Sequence, residues 1–226
     1  MTTDALQFKS KAQAVHELLR QRILDFHYEP GQSLSIDGLA RELGVSKIPI
    51  REAIKQLEAE RLVEVVLHVG ARVTPISVAQ AEQIYPIRHA LCDLGVRLAV
   101  PRLDDATLDD LEDLQRQMEA ATRLRDTATV DRLNRQFHLR IVQAAGNQEL
   151  YQLYRDLMHR CSRFRAGVTL GHRRAIEVMA EHRTILAALR VRDTEAAARA
   201  SNEHDRRSAD EIIAQMRLKE TAQAAV

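Results

Sequence analysis

Three histidines and an asparagine stand out as residues whose types and spacing could do chemistry. Asn134 and His138 are four apart, so on a helix they share one face. His182 sits midway along a later helical stretch, and His204 lies in the last one. Imidazole nitrogen suits Zn, Ni, Fe and Cu, and Mn where oxygen ligands are mixed in. Three imidazoles and an amide oxygen contributed by three helices could hold one such ion inside a bundle. An open position on the ion could in turn activate water, which is hydrolase chemistry. No HExxH occurs and no nucleophile is apparent. Glu181, beside His182, reads as pointing off the His182 face. Spacing alone is met equally well by ordinary packed or surface histidines. His16, His27, His68, His89, His159 and His172 show no partner in the pattern.

A second constellation spans Ser35 to Val73, SIDGLARELGVSKIPIREAIKQLEAERLVEVVLHVGARV. A short helix carries Leu39, Ala40 and Leu43 on its apolar side. Gly44 supplies the positive φ of a sharp exit, and Ser46 is a good N-cap for the next helix. Pro49 falls in that helix's first turn, where its missing N–H costs nothing. Ile50, Ala53, Ile54 and Leu57 form the apolar stripe. Lys47 and Arg51 share the opposite face near the helix start. Two β-branched runs then flank His68 to Ala71. Helix, tight turn, basic helix and ribbon predict a winged helix-turn-helix, with one helix in the DNA major groove. Arg51 can fork onto a guanine or a phosphate, while Lys47 is a mobile point charge. Arg41, Ser46, Pro49 and Gly70 at the ribbon tip complete the candidate DNA contacts. The bland alternative, a solvated basic face, weighs most at Lys55 and Arg61.

Composition narrows the partners. The 226 residues leave room for two domains, each with its own core. The net charge is +1, and the first 77 residues carry ten basic and ten acidic side chains. DNA binding must then rest on a local patch and on dimerisation to gather phosphate contacts. Two cysteines, Cys92 and Cys161, suit a reducing compartment. There is no signal-like start and no apolar run of membrane length, so a cytoplasmic protein without membrane contact is expected.

Beyond Pro75-Ile76-Ser77 the chain turns helical in composition. Breaks near Pro101, Arg125, Gly146, Gly171 and Arg192 divide it into six helices. They are expected at about 78–100, after Asp104, then 126–145, 147–169, 172–191 and 193–219. The first would bury Ile84, Ile87, Leu91, Leu94 and Leu98 on one face, with Pro86 bending it or marking a late start. Phe137 reads as core and Asn147 as a cap. The run Arg160, Arg163, Arg165, Arg173, Arg174 reads as a solvated face or a dimer rim. The expected fold is mainly α: a winged helix-turn-helix over 1–77 and an all-α six-helix bundle over 78–226. A short link at Thr74 to Ser77 would let one part move the other.

These residues carry a resemblance. Residues 12 to 75 resemble the DNA-binding domain of the GntR family of bacterial transcription regulators. The matching words are Pro30-Gly31, Leu34, Leu39-Ala40, Leu43-Gly44-Val45-Ser46, Pro49, Arg51-Glu52-Ala53, Leu57 and Gly70. The chain departs from the family at His27-Tyr28, at Lys47 for Arg, and at Arg61-Leu62-Val63 for Gly-Leu-Val. The last removes a C-cap glycine, so a looser exit from the recognition helix is expected. Residues 80 to 215 are similar to the FCD effector domain of the FadR-type branch, in its six-helix VanR-like form. Here the words are Ile84-Tyr85, Arg88, Asn134-x-x-Phe137-His138, Ala144-Ala145-Gly146-Asn147, Leu150, His182 and His204.

The resemblance implies a divalent metal on Asn134, His138, His182 and His204, a small organic acid beside it, and Arg88 as the clamp on its carboxylate. Asn134 stands where Asp is commoner. A neutral ligand there should weaken Mn or Mg more than Zn or Ni, so Zn or Ni is favoured and Mn or Fe is possible. Leu91-Cys92 for Leu-Glu is a further departure. The function implied is a homodimeric transcriptional regulator, a repressor on an inverted-repeat operator, released or tightened by the acid. In an alternative reading the metal itself is the signal. The absence of thiolate ligands argues instead for the metal as a platform.

Overall fold

The computed structural model describes residues 10–66, 70–168 and 171–224. The chain divides into two compact units, Met1–Ile76 and Ser77–Val226. In the first unit, helix α1 (Lys11–Leu24) starts at Ser10, whose hydroxyl accepts from the Gln13 N–H. Strand β1 (Ser33–Leu34) leads into helix α2 (Ile36–Leu43), capped in the same way by Ser35. Gly44 closes α2 at φ 64°. Helix α3 (Lys47–Ala59) follows, then strands β2 (Val63–Val66) and β3 (Gly70–Val73). Strand β3 lies between β1 and β2, antiparallel to both. The two-residue β1 makes the expected ribbon a three-stranded sheet. Leu19, Ile23, Ile50, Leu57, Leu62 and Val73 form the core beneath it. Gly70 has φ 119°, and a Cβ there would stand 2.7 Å from the Leu34 carbonyl oxygen. Only glycine lets β3 pass β1 so closely. His68 lies outside the described residues.

The second unit contains α4 (Val78–Ala99), a 3-10 turn at Val100–Arg102, α5 (Asp105–Arg123), α6 (Thr127–Ala144), α7 (Gln148–Ala166), α8 (His172–Arg190) and α9 (Thr194–Ala224). Asp104, Asp126 and Asn147 cap α5, α6 and α7 through their side chains. Phe137, Leu111, Met118, Tyr154, Ile185 and Leu189 are buried at its centre. Helix α4 packs on α6, α7 and α9, and α5 on α6 and α8. Pro86 lies inside α4 without ending it. Cys92 and Cys161 are buried free thiols. Among the described residues no helix is long and apolar enough to cross a membrane.

The expected face of α4 is corrected. Ile87 and Leu94 are 55% and 44% exposed. The buried face instead combines Ile84, Tyr85, Arg88, Cys92 and Val96. The apolar pattern misled because Arg88 is buried through an ion pair, which hydropathy counts as a surface residue.

The exit from α3 shows how the missing glycine is accommodated. Arg61 itself takes the left-handed conformation, φ 57°, and Leu62 N–H still reaches the Leu57 carbonyl at 2.9 Å. A side chain in that region costs about 1–2 kcal/mol, partly offset by the greater chain freedom of glycine in the unfolded state. Arg61→Gly is therefore expected to stabilise the protein by about 0.5–1 kcal/mol, read as a higher urea midpoint at unchanged slope. A lower midpoint would show that the exposed Arg61 side chain contributes more than its backbone costs.

Candidate metal-binding pocket and nucleic-acid interface

The three histidines converge. His138 on α6, His182 on α8 and His204 on α9 are buried, with ring nitrogens within 4.8 Å of one another. His138 Nε2 and His204 Nε2 are 3.1 Å apart. Metal–nitrogen bonds of about 2.0–2.1 Å place neighbouring ligand nitrogens roughly 3 Å apart, so two rings joined here by a hydrogen bond stand at a spacing that two ligands of one ion would also have. Two further atoms lack any hydrogen-bond partner although buried: His182 Nε2 and Asn134 Oδ1. Such orphaned acceptors cost free energy unless something binds them. Asn134, His138 and His204 line one cavity.

Surrounding groups set the tautomers. His182 Nδ1 is 3.2 Å from Gln115 Oε1. The Gln115 amide nitrogen donates to Glu119 and to the Met179 carbonyl, so its oxygen is free to accept. The proton therefore sits on Nδ1, and the Nε2 lone pair faces inward. His204 Nδ1 donates to Glu181 Oε2 at 2.7 Å. Arg174 grips the Glu181 carboxylate at 2.7 and 3.0 Å and donates to Ser208 Oγ at 3.1 Å. Burial pulls the Glu181 carboxyl upward, but hydrogen bonds from His204 and Arg174 bring it down to about 2. Burial pushes His138 and His182 well below the ordinary histidine range, which leaves their lone pairs available. Phe137 stacks on His182, centroids 4.5 Å apart and planes 11° off parallel. The donor set, three neutral imidazoles and one amide oxygen, fits a divalent ion of the Zn or Ni type.

Glu181 adds to the sequence reading. Its carboxylate does leave the His182 face, but it reaches His204 on the next helix. Its one sequence signal is Arg174, seven residues back and two turns away on the same side of α8. Gln115 had none, since only the packing of α5 on α8 brings it to His182.

Arg88 on α4 is buried beside the same cavity. It forms an ion pair with Asp205 on α9, and His89 Nδ1 stands 3.6 Å from the other Asp205 oxygen. Its guanidinium lies over the Tyr85 ring, 4.7 Å from the centroid. Burial raises the Asp205 carboxyl, and the Arg88 charge overrides this to hold it at about 2. The internal partner of Arg88 is thus on the last helix of the unit. Arg88 Nε and Tyr85 Oη remain buried without partners. From the arginine run set aside as a solvated face, Arg165 lines this cavity and pairs with Asp131 at 2.5 Å.

In the first unit, Arg51 is exposed near the start of α3 and makes no ion pair among the described residues. Lys47 Nζ is 2.9 Å from Asp37, and Arg41 Nε reaches the Asp37 carbonyl at 3.4 Å. Ser46 occupies the N-cap position, yet its side chain makes no cap hydrogen bond, which leaves the hydroxyl to solvent. Pro49 is buried and shapes the first turn. Gly70 opens β3. Two exposed residues were missed. Ile48 is 68% exposed beside Lys47, and Arg72 projects from β3 between buried Ala71 and Val73. The alternation in Gly-Ala-Arg-Val could have revealed Arg72. Ile48 reads as core from type alone.

Two family models match the chain: the gntR family of bacterial regulatory proteins over residues 11–73, and the FCD domain over residues 83–207. An uncharacterized HTH-type transcriptional regulator of Bacillus subtilis, YdhC, is 32% identical over 79% of this chain and 80% of its own. The HTH-type transcriptional repressor GlaR of Escherichia coli is 28% identical over 82% and 88%. In fold, the chain is similar to the structure of E. coli McbR/YncC, with a TM-score of 0.81 at 24% identity over 91% of this chain and 98% of that one. The chain belongs to the GntR family of bacterial regulatory proteins, as a DNA-binding transcriptional regulator with an FCD domain and not an enzyme.

Proposed function

We propose that this regulator is a homodimeric repressor on an inverted-repeat operator, controlled by a small organic carboxylate bound beside a divalent metal in the helical unit. The clustering of His138, His182 and His204, with His182 Nε2 buried and unpartnered and Asn134 Oδ1 likewise unpartnered on the lining shared by His138 and His204, carries the reading. Relatives named as repressors, such as GlaR and RspR, favour repression. Exposed Ile87 and Leu94 on α4, with Leu153 on α7, supply apolar surface for a second copy.

Asn134, His138, His182 and His204 would hold the ion, whose chemistry there is that of a Lewis-acid anchor for a carboxylate oxygen. No protein ligand in the set is charged, so the ion's full positive charge favours an anion. Arg88 Nε and Tyr85 Oη, both without partners, would meet the rest of the carboxylate as hydrogen-bond donors. Gln115 and Glu181 keep the His182 and His204 lone pairs aimed inward. The acid alters operator affinity only by binding two conformations unequally, typically by about 1–3 kcal/mol. On DNA, Arg51 would read a base edge or a phosphate, Ile48 would meet a thymine methyl, and Arg72 would reach the backbone.

Arg51→Ala should abolish specific operator binding without unfolding, at about 1–3 kcal/mol per half-site. A gel shift at wild-type affinity would refute that role. His138→Ala or His182→Ala should each lose stoichiometric metal and keep the helical circular dichroism. Full metal content after dialysis, measured by elemental analysis in both, would make the histidines purely structural. Arg88→Ala strands Asp205 as a buried charge and should destabilise by about 3–5 kcal/mol. The double variant Arg88→Ala/Asp205→Asn avoids that cost. It should still bind metal and operator but fail to respond to the cognate acid, as read by calorimetry and operator release. Wild-type affinity for the acid would remove Arg88 from the pocket.

A further inference from the structure

The cavity at the histidines holds about 60 Å³. Liquid water takes about 30 Å³ per molecule, so this space accommodates a carboxylate and little else. Beyond it lies a second cavity of about 480 Å³, within the roughly 300–1,000 Å³ typical of small-molecule sites. It opens where α5 and α7 end and α6 and α8 begin. Asp131 and Arg165 line both cavities, and their ion pair forms the common wall. With side chains 39% and 20% exposed, the pair is held weakly and can part at little cost.

The larger chamber has a different chemistry. Val130, Val168 and Val178 give it an apolar lining. Arg125, His172 and Arg174 stand on the same lining, and Arg125 makes no ion pair among the described residues. The metal-side cavity offers cationic and polar groups for a head; the second offers a mainly apolar surface, with charged groups among its lining, for a body.

We propose that the two cavities form one site for an amphipathic carboxylic acid. Its carboxylate sits at Arg88 and the histidine cluster. Its apolar body passes the Asp131–Arg165 wall into the second chamber and lies against Val130, Val168 and Val178. This rests on the metal-and-carboxylate reading above and specifies its ligand: a short acid such as acetate would leave the larger chamber unfilled.

The test is calorimetry on the metal-loaded, full-length protein with acetate, butyrate, hexanoate and octanoate. Affinity is expected to rise about fourfold per methylene, the equivalent of about 0.8 kcal/mol for each buried CH₂. Ala175→Leu takes up part of the chamber and should blunt the rise, so that octanoate gains less over acetate than it does in the wild type. Circular dichroism and metal content certify that variant's fold. Metal-dependent acetate binding with no length dependence would overturn the two-chamber site and leave the carboxylate reading standing. A length dependence left unchanged by Ala175→Leu would also overturn it. No heat from any acid on protein with confirmed metal would remove the carboxylate reading and this proposal together.

Discussion

The helical unit is organised around holding three imidazoles together in a buried space. Burial opposes the charging of His138 and His182 and pushes both well below the ordinary histidine range. The fold answers with acceptors placed behind the rings: the Gln115 amide oxygen behind His182 and the Glu181 carboxylate behind His204. Each accepts a hydrogen bond from the ring's Nδ1–H, so that the Nε2 lone pair faces inward. The arrangement draws on α5, α6, α8 and α9 at once, so the pocket cannot form until those helices pack. Phe137, stacked on His182, shows that the same packing serves both core and site.

A second buried charge system lies beside the first. Arg88, Asp205 and His89 join α4 to α9, one residue from His204. Taking a guanidinium and a carboxylate out of water is expensive unless they meet each other, and here they do. The pair leaves Arg88 Nε and Tyr85 Oη unsatisfied toward the cavity. A pocket with donors on one side, lone pairs on the other and an apolar chamber beyond is polarised along its length. That polarity suits a ligand with a charged head and an apolar body.

The DNA-binding unit follows a different economy. Its core is small, and local signals do most of the specifying: serine caps on α1 and α2, Gly44 at the turn, and Gly70 where β3 crosses β1. Where the chain lacks the expected glycine after α3, Arg61 adopts the left-handed conformation itself. The backbone path is enforced by the hydrogen bonds and core around it and not by the residue at the turn.

What the sequence alone determined is whatever depends on near neighbours. Caps, turn glycines, helix breaks and the i, i+4 pair Asn134–His138 are legible because their physics acts over a few residues. The order of helices and strands and the exposed Arg51 follow from the same short-range rules. Tertiary structure decided what depends on distant segments meeting. It chose Asp205 for Arg88, so that an arginine became part of α4's buried face while Ile87 and Leu94 stayed outside. It chose Gln115 and Glu181 as the groups behind the histidines, and it set the Asp131–Arg165 wall between the small cavity and the large one. Burial of a charged or polar side chain depends on its partner, and that partner is named only when the helices pack.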